Sequence, residues 1–367
     1  MTESEKKLKE LMHQTIERKA TDLHLSAYAI PMLRANSHLQ EMSSQMLEAD
    51  EVKEMAYSIM QPQQKELFEQ VHTLDLALSF DNERFRINIF KERGNVAMAL
   101  RRLDNKIHSL KELNLPDQLS QLANMRDGLV IVTGPTGSGK STTLATIIDQ
   151  INKTRSCHIL TIEDPIEYIH KNRKSLVRQR ELHKDVASFS QAVWSAMRED
   201  PDVILVGEMR DKETILAAIT AAETGHLVFS TLHTPDAPGA IDRISGIFPE
   251  DEQIAIRKQL SMVLHAVVAQ RLLPRLKGDG LIPATEILWV NSAIAHLIRS
   301  WNPQQIYSFM ESGTKEGMLT MEKSLAQLVA KKMIDKEVAQ IMARDPQILE
   351  DQIRSLSSQP YLSEGVH

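Results

Sequence analysis

Leu129-Val130-Ile131-Val132-Thr133-Gly134-Pro135-Thr136-Gly137-Ser138-Gly139-Lys140-Ser141-Thr142-Thr143-Leu144 sets out a strand, a glycine-rich loop and a helix in that order. Leu129 to Val132 are apolar and mostly β-branched, which reads as a buried strand. Ile147, Ile148 and Ile151 continue from Leu144 at helical spacing. Between them stands G-x-x-x-x-G-K-[ST], and in this context it is a phosphate-binding P-loop. Glycines let successive backbone N–H groups curl around a phosphate with no Cβ in the way. The helix N-terminus adds partial positive charge. Gly134, Thr136, Gly137, Ser138, Gly139, Lys140, Ser141 and Thr142 are therefore the expected nucleotide contacts. Lys140 reaches the β- and γ-phosphates, and the Ser141 hydroxyl is a ligand for Mg²⁺.

The chain around this stretch has 367 residues, enough for two domains that each bury a core. A net charge of −6 gives no general attraction to nucleic acid or anionic lipid. Cys157 is the only cysteine, which excludes a disulfide framework and a four-cysteine zinc site. The charged opening Thr2-Glu3-Ser4-Glu5-Lys6-Lys7 does not read as a signal peptide. No apolar run approaches the ~20 residues of a membrane span, so membrane association is expected only through partners.

Before the P-loop, Ser4 to Ala20 reads as an amphipathic helix, followed by short strands around Leu23 and Met32-Leu33. Helical pieces are expected over Ala49 to Met60 and from Pro62. From Leu74 the apolar period becomes two, through Leu76, Leu78, Phe85, Ile87, Ile89, Val96, Met98 and Leu100. That is an antiparallel meander with one buried face. Residues 1–103 thus form a small α+β domain, 104–112 a linker, 113–291 the P-loop domain and 292–367 a helical region ending in a polar tail. Arg84, Arg86, Arg93, Arg101 and Arg102 fall on the polar face and turns of the meander. They are read either as a solvated face or as groups that meet a phosphate.

After the P-loop, strand and helix signals alternate: Ile159 to Ile162, Phe189 to Arg198, Val203 to Val206, Thr214 to Glu223 and Leu227 to Thr231. This predicts an α/β fold with a mostly parallel sheet covered by helices. A helix is expected over Pro249 to Arg271 and a last strand over Thr285 to Val290. Ligands of such sheets sit at the carboxyl ends of the strands, where this chain carries acids and histidines. Glu163-Asp164-Pro165-Ile166-Glu167 follows one strand, Gly207-Glu208 the next, and Leu232-His233 the third, which His226 opens. Carboxylates there serve as Mg²⁺-ordering groups or as the base for an attacking water.

Taken together, these runs resemble the secretion-type AAA-like motors that power type IV pili and type II secretion. Among them the chain looks most like the PilT/PilU retraction ATPases. The matching runs are Gly134 to Thr142, Leu160 to Glu167, Arg198 to Asp211 and Ala221 to Thr234. Thr21-Asp22-Leu23-His24-Leu25 and Arg84-Phe85-Arg86-Ile87-Asn88 extend the likeness over nearly the whole chain. The resemblance implies a PAS-like α+β N-terminal domain and a RecA-like ATPase domain with a C-terminal helical extension. It implies a ring-shaped homohexamer with ATP and Mg²⁺ at the junction of the two domains. Arg86 and Arg101 would reach the phosphates. Glu163 and Glu208 would share the water-activating and metal-ordering roles beside Ser141, and His226 and His233 would be active-site or interface residues.

The expected partners are an inner-membrane pilus platform protein and a sister pilus motor, with the chain cytoplasmic and peripheral at that membrane. The short N-terminal region and the absence of a four-cysteine site favour the retraction branch. Where the family has Ala-Ile-Arg-Asn-Leu-Ile-Arg-Glu, this chain reads Ala293-Ile294-Ala295-His296-Leu297-Ile298-Arg299-Ser300. An accessory or divergent motor, or a related secretion or DNA-uptake ATPase, is the alternative this departure leaves open. Direct nucleic-acid contact is not expected, because the chain is acidic overall, poor in aromatics and lacks a basic stripe; Arg173, Lys174, Arg178 and Arg180, its only dense basic run, read as a solvated face.

Overall fold

Apolar residues at period two, one turn apart, fold back on themselves into an antiparallel sheet. In this computed structural model, which describes residues 2–35, 38–103, 106–278 and 280–358, β1 (Asp22–Ser26), β2 (Met32–Ala35), β3 (His38–Glu41), β4 (Thr73–Phe80), β5 (Glu83–Glu92) and β6 (Asn95–Leu103) build it. Their order is β3-β2-β1-β6-β5-β4, and each neighbouring pair is antiparallel. The inward residues Leu23, Phe85, Ile87 and Leu100 meet Leu8 and Met12 of α1 (Glu3–Glu17), Met55 of α2 (Ala49–Ser58) and Phe68 of α3 (Pro62–Val71) in one core. All four residues of β3 are exposed, so the strand carries no hydrophobic period. The start of the expected linker at Asp104 and the polar tail beyond residue 358 lie outside the described residues.

The chain divides into two compact units. Met1–Lys106 is joined in the first by Ile162–Lys171 and Gln179–Ala192. Arg84 explains part of that grouping. Its Nε and Nη2 donate to the Ile166 carbonyl at 3.0 and 2.8 Å, and Nη2 also meets Glu181 Oε2 at 3.3 Å. Both Arg84 and Glu181 are buried. Burial lowers the Arg84 pKa and raises that of Glu181. The solvated-face reading of Arg84 is thereby corrected: it is a buried clamp on the acidic run.

The second unit comprises Ile107–Thr161, Asn172–Arg178 and Val193–His367. Its strands belong to a sheet of β7 (Gly128–Thr133), β8 (His158–Glu163), β9 (Leu176–Glu181), β10 (Val203–Val206), β11 (Leu227–Leu232), β12 (Leu264–Pro274) and β13 (Leu281–Trp289). The order is β13-β12-β7-β11-β10-β8-β9. The run β12-β7-β11-β10 is parallel, and β13 lies antiparallel on β12. Val130, Val132, Leu205, Phe229 and Val268 bury one face against Leu144, Ile147 and Ile151 of α4 (Lys140–Thr154). Then come α5 (Phe189–Ala196), α6 (Lys212–Glu223), α7 (Ala237–Gly246), α8 (Glu250–Val263) and α9 (Ser292–Ser300). The remainder is α10 (Ile306–Ser312), α11 (Met321–Ala330), α12 (Lys336–Met342) and α13 (Pro346–Ser358), with Leu325, Ile334 and Leu349 in a smaller core beside Leu273 and Ile282. Among the described residues no helix is long and apolar enough to cross a membrane.

One expectation fails here. Pro249 to Arg271 is not a single helix, because α8 ends at Val263 and β12 begins at Leu264. No glycine or proline marks the change. Ala266 to Gln270 are buried on both faces between β7 and β13, so the strand shows no period of two. A continuous apolar run of this length reads equally as helix or as central strand. Expected to start at Thr285, the last strand begins at Leu281.

Candidate nucleotide site

At the carboxyl end of β7 the chain turns through Gly134 to Gly139 into α4. Gly134 adopts φ 142° and Gly139 φ 86°, a region that residues with a Cβ rarely enter. Space demands glycine as well. A Cβ on Gly134 would lie 2.3 Å from the Gln270 carbonyl oxygen, and one on Gly139 2.8 Å from Gln270 Nε2. The Lys140 ammonium folds back over the loop, donating to the carbonyls of Gly134 at 2.8 Å and Pro135 at 3.0 Å. Ser138 Oγ is buried with no hydrogen-bond partner in the protein. Thr136, Gly137 and Ser141 are exposed. A curled backbone, an inward lysine and an orphan hydroxyl at a helix N-terminus are suited to bind a phosphate chain.

The neighbouring strands supply the rest of this edge. Thr133, the last residue of β7, is hydrogen-bonded through Oγ1 to the Thr234 N–H at 2.9 Å and the Thr234 hydroxyl at 2.8 Å. That holds the segment after β11 level with the start of the loop. His233, just beyond β11, brings Nε2 to 3.3 Å from Glu208 Oε2, and Arg210 Nε stands 2.5 Å from Glu208 Oε1. Both oxygens of Glu208 are thus engaged by basic groups. Glu208 follows β10, two strands from β7, which is roughly 10 Å in the plane of a sheet. Ser230 of β11 is fully buried. Its hydroxyl donates to the Val206 carbonyl at 2.8 Å, so this polar atom is satisfied inside the sheet.

The structure does not bring His226 to this edge. It precedes the amino end of β11, its carbonyl accepts from Gly128 N–H at 3.1 Å, and its Nδ1 meets the Ala221 carbonyl at 2.9 Å. His226 and His233 therefore lie roughly 20 Å apart along the strand. Within its own unit His226 is a cap on the helix-to-strand turn, not a neighbour of the P-loop.

In the first unit Glu163 closes β8 and its Oε1 accepts from Gln179 Nε2 at 3.1 Å. Arg86 and Arg101 face each other across β5 and β6, and Asp22 of β1 is the next residue in that row. Two cations directly opposite repel. Here they are offset by Asp22, 2.7 Å from Arg101 Nε, and by Glu167, 3.5 Å from Arg86 Nη1. Both arginine side chains remain well exposed.

Buried Glu286 is a group that the sequence reading missed. It sits on β13 opposite Ala269, which is in turn opposite Thr133. Its Oε1 accepts from the Ala237 N–H at 2.8 Å, at the first turn of α7. Burial pushes its pKa from an ordinary 4.5 to about 7, with Asp236 adding to the rise. The folded chain therefore keeps a proton that the unfolded chain has already released in that interval. Stability falls as pH rises through it and is level above, an effect of up to about 3 kcal/mol. Glu286→Gln is expected to remove this slope, so that thermal melts from about pH 5 to 8 lose their decline and the variant outlasts the wild type at the alkaline end.

A twisted, largely parallel sheet with a phosphate loop after its central strand defines a P-loop nucleotide-binding protein. The profile of the family described as "Type II/IV secretion system protein" matches residues 2–359, and the chain belongs to that family. It is 43% identical to the Type IV pilus retractation ATPase PilT of Pseudomonas aeruginosa, over 92% of this chain and 98% of that one. It is 45% identical to a twitching motility protein of Neisseria gonorrhoeae, over 87% and 86% of the two chains. A crystal structure of the pilus retraction motor PilT with bound ADP superposes with a TM-score of 0.85 at 44% identity, covering 94% of this chain and 98% of that chain.

Proposed function

We propose that this chain is an ATP-hydrolysing motor that powers type IV pilus retraction. The observation that carries the reading is the loop itself. Lys140 is turned inward on Gly134 and Pro135, with the Glu208–His233 pair at the end of a strand in the same sheet. The near-full-length similarity to PilT supports the pilus assignment. In this account ATP lies on residues 134–142. Mg²⁺ is held by Ser141 and the phosphates, with Glu208 ordering its water shell, since hard oxygen donors suit that ion. Glu208 is a poor candidate for the base because both its oxygens are taken by Arg210 and His233. Glu163, which ends β8 and accepts from Gln179 Nε2 on Oε1, takes that role. Arg86 and Arg101 complete the charge around the γ-phosphate as finger-type cations. His226 takes an interface role. The motor works as a homohexamer that drives a membrane platform protein, beside a sister motor, and reaches the inner membrane only through those partners.

The segment that departs from its relatives supports retained hydrolysis. On α9 the kept residues Ile294, Leu297 and Ile298 are buried and the kept Arg299 is exposed, as are the changed His296 and Ser300. The core face is intact and the outward face differs, so any change falls on what this helix meets and not on the nucleotide site.

Arg86→Ala and Arg101→Ala are each expected to cut ATP turnover at least roughly tenfold while leaving ADP affinity within about threefold. Phosphate release set beside ADP titration measures both, and turnover at the wild-type level would return these residues to a solvated face. A strain deleted for this chain should lose twitching and regain it with the wild-type copy but not with Glu163→Gln. Twitching that is undiminished in the deletion would rule out the retraction role.

A further inference from the structure

We propose that Gln270 is a positioning residue that fixes the P-loop from beneath and aims the Gly139 N–H at the bound phosphate. The inference rests on the reading of residues 134–142 as the nucleotide site. Gln270 lies on β12, one residue beyond the Ala269–Thr133 pairing that ends the contact with β7. It is 2% exposed, so its amide has no recourse to water. Both ends of that amide are used. Nε2 donates to the Ser138 carbonyl at 2.6 Å, and Oε1 accepts from the Thr143 hydroxyl at 2.7 Å. The backbone carbonyl of Gln270 packs against Gly134 at the other end of the loop.

The direction of these bonds matters. In a planar trans peptide the C=O and the following N–H point opposite ways. Drawing the Ser138 carbonyl inward onto Gln270 therefore turns the Gly139 N–H outward, into the concave side of the loop. The Ser138 carbonyl can only accept, so a flipped amide would set Oε1 against that carbonyl oxygen. Glutamine is thus required for its paired donor and acceptor. Glutamate would present an acceptor to an acceptor. Methionine would leave the Ser138 carbonyl and the Thr143 hydroxyl buried and unpaired. Lys140 holds Gly134 and Pro135 while Gln270 holds Ser138, so the loop is fixed at both ends before any ligand arrives. Preorganisation of this kind appears as ligand affinity, because the ordering cost is met in the free protein.

The test uses the full chain, with ADP as the titrated probe and ATP as substrate. Gln270→Met is expected to weaken ADP binding at least roughly tenfold and to raise KM for ATP in step, with a smaller fall in kcat. Thr143→Val, which removes only the hydroxyl that orients the amide, should weaken ADP by about threefold. The double variant should be no worse than Gln270→Met, since both act through one bridge. Melting without nucleotide provides the control for a purely structural role, which would lower the melting temperature but leave the ADP affinity of the folded protein unchanged. Wild-type ADP affinity in both Gln270→Met and Thr143→Val, with Lys140→Ala impaired, would overturn the proposal and leave the nucleotide site standing. Wild-type affinity in Lys140→Ala as well would overturn the nucleotide reading and this proposal with it. If Gln270→Met does not fold, the Thr143→Val titration decides alone.

Discussion

Lys140→Ala is expected to lower the affinity for ADP roughly a hundredfold or more, equivalent to about 3 kcal/mol. The ammonium is nearly buried and its two carbonyl partners belong to the loop, so it is already aimed along the phosphate path. Charge-assisted bonds to phosphate oxygens are among the strongest polar contacts a protein makes. Alanine removes that charge and also frees the Gly134 and Pro135 carbonyls, which would then face the anion. Isothermal titration with ADP measures the loss. Affinity within about threefold of the wild type would mean that phosphate is held elsewhere or not at all.

Glu163→Gln should separate binding from chemistry. The substitution keeps the shape of the side chain, and its amide oxygen can still accept from Gln179 Nε2. What disappears is the capacity to take a proton from water. General-base catalysis contributes about 10² to 10⁴ in rate, so kcat is expected to fall at least a hundredfold while ADP affinity stays within about threefold. Single-turnover phosphate release resolves the two. A comparable loss in Glu208→Gln but none in Glu163→Gln would exchange the roles of the two acids.

The loop was legible because local sequence dictates it: glycines at positive φ and a lysine at the helix start. The meander was legible for the same reason, since one buried face writes a period of two into β4, β5 and β6. β12 was not. A strand buried on both faces has no period, and Val263 and Val267 fall on a helical spacing that continues α8. With β12 misread as helix, Gln270 could not be placed under the loop. Arg84 and Glu286 were hidden differently. A charged residue on a strand reads as solvent-facing until partners distant in sequence are known, here Ile166 and Glu181 for one and Ala237 for the other. His226, which opens the strand that His233 follows, lies at that strand's other end.

Steady-state phosphate release from ATP and Mg²⁺ by the purified chain, run beside Lys140→Ala, tests the central claim most directly. The wild type is expected to turn over continuously and to stop when Mg²⁺ is chelated, and the variant to lose this activity. Equal phosphate release by the two proteins would contradict it.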